Sequence, residues 1–302
     1  METDMTGRIP ARAAKLAAAL LAATAVLAVA AGTASAEVIY NNVPSPLPGN
    51  LSSVSFGASS TSEFGGQVKF QGTDRATPKV TVVMSSWACQ YGNWYDETCE
   101  TPRTSQKFDW PIKLKVYEVG PGNSVGPEIA SAEKAFKMPY RPTEAKEKCN
   151  KKGVCTPALC ANGRWYEKYT EQCFHGKAFR IAFTLKSTSK VKHAPKLKLP
   201  ENAIISVSYN TTDSGPAPVG EQPCDKTTAG CFYDSLNVAL AESPSLTVGS
   251  DPTEELYVNS TDNEMYCGSS LTLGTFGPTG ICSNSEWTQG EQPAIEVSSI
   301  LP

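Results

Sequence analysis

Ten cysteines, an even number, follow an N-terminal segment built like an export leader. Together these two features bound what the chain can fold into more tightly than anything else in it. Arg8, Arg12 and Lys15 form a positive n-region, Leu16 to Ala31 is an Ala-rich apolar run, and Ala34-Ser35-Ala36 fits a small-residue cleavage site. The run is short and the cleavage signal follows at once, which separates a leader from a membrane anchor. Residues 1–36 are therefore expected to be a signal peptide, with Glu37 opening the secreted, mature chain. No later run is apolar enough to span a bilayer, so no transmembrane segment is expected in the mature chain. Leu199-Pro200-Glu201-Asn202 is only a loose match to a wall-sorting signal and sits mid-chain, so covalent anchoring is not expected.

In an oxidising compartment thiols pair. Spacing predicts Cys89 with Cys99, Cys224 with Cys231 and Cys267 with Cys282. Cys149, Cys155, Cys160 and Cys173 are then left to pair among themselves, with three connectivities open. Zinc competes for that cluster, because the gap between Cys155 and Cys160 falls in the knuckle range and His175 follows Cys173. Oxidised sulfurs cannot ligate as thiolates, so neither a metal nor any other cofactor is expected.

Glu37 to Pro302 is long enough for one large all-β domain or two smaller ones. Short alternating or β-branched runs recur between turn residues, at 67–70, 79–84, 112–119, 178–185 and 203–209. In Ile112 to Val119, Ile112, Leu114 and Val116 point one way while Lys113, Lys115 and Tyr117 point the other, the pattern of an antiparallel strand with one wet face. Pro127 to Met138 reads equally as a short amphipathic helix or as a strand running into Pro139. The predicted class is all-β: an antiparallel two-sheet sandwich of jelly-roll or Greek-key type, stapled by disulfides.

VIYNNVPSPLPGNLSSVSF from Val38, STSEFGGQVKFQGT from Ser62, VTVVMSSWACQ from Val80, YDSLNVAL from Tyr233, YVNSTDNEMYCG from Tyr257 and the closing PAIEV carry a resemblance. The chain resembles a group of exported, mostly actinobacterial β-sandwich proteins of uncharacterised activity, over nearly all of the mature chain. The resemblance implies one sandwich domain over 37–302 and brings no catalytic or binding residues with it. The basic, Cys-rich stretch around 144–173 departs from the group's pattern and reads as an insertion.

Charge is distributed unevenly. Lys134 to Lys198 holds sixteen Lys or Arg against four Glu, whereas Thr227 onward holds ten acidic residues and no Lys or Arg. Such asymmetry suits either a solvated face or a polyanion-facing patch, for which Lys146, Lys148, Lys151 and Lys152 are the candidates, facing an anionic wall polymer or extracellular polysaccharide. No nucleic-acid-binding motif accompanies the lysines, so nucleic acid is not an expected partner.

Gly122-Asn-Ser-Val-Gly126 matches G-x-S-x-G, but the prolines on either side make it a turn rather than a nucleophile elbow. The best binding candidate is the loop that a Cys89–Cys99 bridge would close, where Trp87, Tyr91, Trp94 and Tyr95 offer flat faces for sugar rings and Asn93 and Asp96 could bond hydroxyls. Trp165, Tyr166 and Tyr169 form a second aromatic group; the competing reading caps the sandwich core with these aromatics. Asp96, Glu97, Asp109 and Glu118 could supply the carboxylate pair of a carbohydrate-active hydrolase, although their spacing singles out no acid and nucleophile. The expectation is a non-catalytic envelope or medium protein that binds glycans, with that hydrolase as the alternative and no catalytic residue named.

Overall fold

The alternation in Ile112 to Val119 sits at the centre of one of two seven-stranded antiparallel sheets. A computed structural model describes residues 36–56, 59–76, 78–92, 94, 96–151, 155–188, 197–209, 236–241, 245–253, 255–261, 271–280 and 291–300. Its strands, in chain order, are β1 (Ala36–Asn41), β2 (Ser53–Ser55), β3 (Thr61–Lys69), β4 (Lys79–Ser86), β5 (Lys107–Val119), β6 (Val125–Pro139), β7 (Lys148–Cys149), β8 (Cys155–Thr156) and β9 (Trp165–Glu167). They continue with β10 (Gln172–Phe174), β11 (Lys177–Thr184), β12 (Lys186–Ser187), β13 (Asn202–Ser208), β14 (Leu236–Ala241), β15 (Leu256–Ser260), β16 (Gly277–Pro278), β17 (Gln292–Pro293) and β18 (Ile295–Ile300).

Sheet B runs β12-β6-β5-β13-β3-β15-β16, and its two edge strands are only two residues long. Sheet A runs β1-β18-β4-β14-β17, with β11 along the other edge of β4 and β2 on β14. One edge of β4 is shared end to end: β18 pairs with its first half, from Lys79 to Val82, and β14 with its last, from Met84 to Ser86. Successive long strands cross between the sheets, β3 to β4 to β5 and β13 to β14 to β15, so the two sheets enclose one core. Ile112, Leu114 and Val116 are fully buried there, beside Phe64, Val82 and Val207.

The ambiguous stretch at 127–138 is strand. β6 pairs with β5 from Lys107↔Pro139 to Val119↔Val125, and this long ladder outweighs the helix-forming tendency of its alanines, glutamates and lysines. The G-x-S-x-G run is the hairpin turn between them, with Gly122 and Asn123 at φ 62° and 60° and Ser124 Oγ donating to Pro121 O at 2.9 Å. Among the described residues no helix is long and apolar enough to cross a membrane.

Lys115 and Tyr117, expected on a wet face, are instead half-buried, because Glu63 lies beneath them on the outer face of sheet B. The predicted cystine Cys89–Cys99 is present, and a second, Cys160–Cys173, joins two of the four cysteines whose pairing was open. The second selects one of the three open connectivities, and the β7/β8 register duly sets Cys149 opposite Cys155. Cys224, Cys231, Cys267 and Cys282 lie outside the described residues.

Candidate functional site

β14 is buried along its whole length because sheet A is covered on both faces. Leu236, Val238 and Leu240 enter the sandwich core, while Ala239 and Ala241 turn outward into a small second core with Val43, Val83 and Ala294. Small side chains on this outer face let the connection between β1 and β2 lie close to the sheet, with Leu47 and Leu51 packed down. The connection meets the Cys-rich excursion at Gly49, where a Cβ would stand 2.7 Å from the ring of Phe174 and 2.9 Å from that of Trp165. Trp165 is buried, donates Nε1–H to Gly176 O at 2.7 Å and packs on Phe174 at 5.5 Å between ring centroids.

Between the connection and the excursion opens a cleft of about 880 Å³, whose wall includes Asn50, Trp87, Arg164, Phe174, His175 and Thr247. Trp87 stacks on His175 with centroids 5.6 Å apart and planes 11° apart, and Trp94 meets both edge-on at 4.9 Å. Trp87 Nε1 donates to Ser85 Oγ at 3.0 Å, and Ser85 Oγ donates to Asn50 Oδ1 at 2.6 Å, which fixes the indole and the amide of the wall relative to each other. None of the described residues lining this cleft is Asp or Glu.

Arg141 is fully buried, and its Nη2 donates to Gly163 O while Nε and Nη1 have no hydrogen-bond partner among the described residues. Burial lowers its pKa to about 10, with the Glu144 carboxylate opposing that shift, so the guanidinium stays charged at neutral pH. Burial, together with Arg141 and Arg164, lowers the pKa of His175 to about 4; its Nδ1 is buried without a partner among the described residues. The imidazole is thus neutral across the physiological range.

That depression has a measurable consequence. Between pH 6.5 and about 4 the unfolded chain takes up a proton at His175 that the folded chain refuses, so stability falls as pH falls through this window. The His175→Gln variant is expected to show a shallower decline in urea midpoint from pH 6.5 to 4 than the parent chain. Identical slopes would mean that His175 is not buried as described.

A second cleft, of about 580 Å³, lies on the other side of Arg164 and carries Glu97, Glu144 and Glu147 but no aromatic residue. Buried Glu144 is ion-paired with Lys146 at 2.9 Å without an aligned hydrogen bond, and Lys146 also reaches Glu100 at 3.8 Å. No group of three or more potential metal ligands occurs among the described residues.

Of the sequence candidates, the structure brings together Trp87 and Trp94. Tyr91 is 63% exposed on a bridge to Glu100, Asp96 is exposed in the same loop, and Asn93 and Tyr95 lie outside the described residues. Among the lysines, Lys146 is held by carboxylates and Lys151 is exposed; the side chain of Lys148, and Lys152, lie outside the described residues. Trp165 belongs to the packing of the excursion, whereas Tyr169 is 98% exposed at the turn between β9 and β10. Asp109 is paired with Lys137 at 3.1 Å on the surface, and Glu118 is exposed. Asn50, Arg141, Arg164 and Phe174 were not singled out by the sequence as site residues, and His175 was noted there as a zinc ligand and not as part of a binding cleft. No family model, curated protein or solved structure matches the chain.

Proposed function

We propose that this chain is an exported, non-catalytic β-sandwich protein of the cell envelope or medium, and that it binds glycan in the cleft beside Trp87. One observation carries the reading: a cleft of about 880 Å³ that combines Trp87 with amide and hydroxyl groups and, among its described lining, no carboxylate. Sugar rings bind by stacking their C–H faces on indole while hydroxyls bond to fixed polar groups, and a wall locked through Ser85 keeps the ordering entropy small. The disulfides and the resemblance to exported proteins support an extracellular location. A hydrolase would need paired carboxylates in an aromatic-lined cleft, and here the aromatics and the glutamates line different clefts on either side of Arg164.

A glycan array of plant, fungal and bacterial polysaccharides tests this. The parent chain is expected to be retained on at least one member, with Trp87→Ala weakening that retention roughly thirtyfold, the equivalent of about 2 kcal/mol. Tyr169→Ala, at an exposed ring far from any packing, is expected to bind as the parent does. Because Trp87 also packs on Trp94 and His175, melting curves accompany the comparison, and Thr247→Val perturbs the wall without touching that cluster. Absence of binding to any array member, or full binding by a folded Trp87→Ala variant, would sink the proposal.

A further inference from the structure

We infer that the cleft selects acidic saccharides, with the guanidinium of Arg164 gripping an oxyanion borne by the sugar. The inference rests on the glycan reading for the ring and adds the chemistry of its substituent.

Arg164 is half-buried and held in place: its Nε donates to Ala161 O at 3.0 Å, and its backbone carbonyl accepts from Ala145 N at 2.9 Å. That anchoring leaves the two terminal nitrogens as a fork, the geometry that binds a carboxylate, sulfate or phosphate through two parallel N–H···O bonds. No described carboxylate lies within ion-pairing distance of it, whereas Lys69, Lys115, Lys137 and Lys146 all have acidic partners. The rest of the wall is biased the same way. Asn50 Oδ1 is consumed by Ser85 Oγ, so what Asn50 retains is its pair of amide N–H donors.

Arg141 is a second guanidinium nearby, bonded to Gly163 O next to Arg164 in the chain. Its guanidinium is wholly buried with two nitrogens unpaired among the described residues, in a medium of low effective dielectric, and the Glu144 carboxylate offsets part of its charge. Arg164 and His175 line the same cleft, and the charges of Arg141 and Arg164 add to burial in holding the imidazole neutral. The described lining of this cleft holds no acidic group, and Glu144, the carboxylate that acts on Arg141, lines the second cleft. A neutral sugar would leave the charge of Arg164 unmatched, and an acidic one would satisfy it.

Matched pairs of ligands test the charge separately from the ring. We would titrate the protein with oligogalacturonate and its methyl ester, a sulfated glycosaminoglycan oligomer and its desulfated form, and a sugar-phosphate polymer and its dephosphorylated backbone. In at least one pair the charged member is expected to bind ten times or more tighter than its neutral partner in 50 mM salt, and which pair responds identifies the oxyanion. Arg164→Gln is expected to erase that difference and Arg164→Lys to restore part of it, with melting temperatures close to the parent's. Equal binding of charged and neutral partners would overturn the inference while leaving glycan binding intact. Charged binding undiminished in Arg164→Gln would overturn it too, moving recognition to the surface lysines. Failure of every member to bind would overturn both readings.

Discussion

Replacing Glu63 with leucine is expected to cost about 3 kcal/mol of unfolding free energy, the largest single-site loss foreseen outside the hydrophobic core. Glu63 is 5% exposed on the outer face of sheet B and takes Lys115 Nζ at 2.6 Å, Tyr117 O–H at 2.8 Å and the hydroxyl of Ser206. These donors stand on β5 and β13, so one carboxylate stitches three adjacent strands, and Phe276 stacks over Tyr117 at 5.3 Å to cover it. Burial and the negative charge of Glu63 both push the Tyr117 phenol well above its ordinary pKa, which keeps it a donor at any pH the fold survives. Removing the carboxylate strands the Lys115 ammonium in a site where 18% of its side chain is exposed, enough to reach some water. The loss therefore belongs at the lower end of the ~3–5 kcal/mol seen for broken buried pairs. Adding Lys115→Met should recover most of it, since the pair's desolvation then disappears with the pair. Urea unfolding of both variants checks this; a loss below about 1 kcal/mol for Glu63→Leu would contradict the network.

The second large effect is confined to the excursion. Converting Cys160 and Cys173 to serine opens a loop of sequence separation 13, for which chain entropy alone predicts about 3 kcal/mol. The excursion has little apolar surface of its own beyond Trp165 and Phe174 against Gly49, so it cannot replace that contribution by packing. We expect protease cleavage and amide exchange to rise sharply within 144–173, while the sandwich unfolds at nearly its original midpoint. Arg164 and His175 would lose their fixed positions, so cleft binding should vanish while the core persists. Unchanged protection across 144–173 would show that the bridge is not what holds this segment.

The two variants separate what was legible from what was not. β5 could be read from Ile112, Leu114 and Val116 because one face of it meets the core, and alternation records that directly. β6 could not, since its fold is decided by a partner strand and not by its own pattern. Lys115 and Tyr117 looked solvent-facing because the residue that buries them, Glu63, is more than fifty positions away. The site divides in the same manner. Trp87 and Trp94 stood out as aromatics near a predicted bridge, but Arg141 differs in no sequence-visible way from its basic neighbours, and only loop packing around Gly163 buries it. Arg164 and His175 are joined to Trp87 by the excursion's path, and no periodicity encodes that path.

The pairing of the first described strand with the last sets a timetable for the whole fold. β1 lies against β18, from Ala36↔Ile300 to Asn41↔Glu296, and β18 also completes the shared edge of β4. In a chain made N-terminus first, β1 and the Lys79–Val82 part of β4 are made long before the strand that pairs with them. During that interval the nascent molecule exposes strands inviting the wrong neighbour, and chaperone protection matters most then. Pairing of β18 thus joins β1 to β4 and ties strands from opposite parts of the sequence into one sheet.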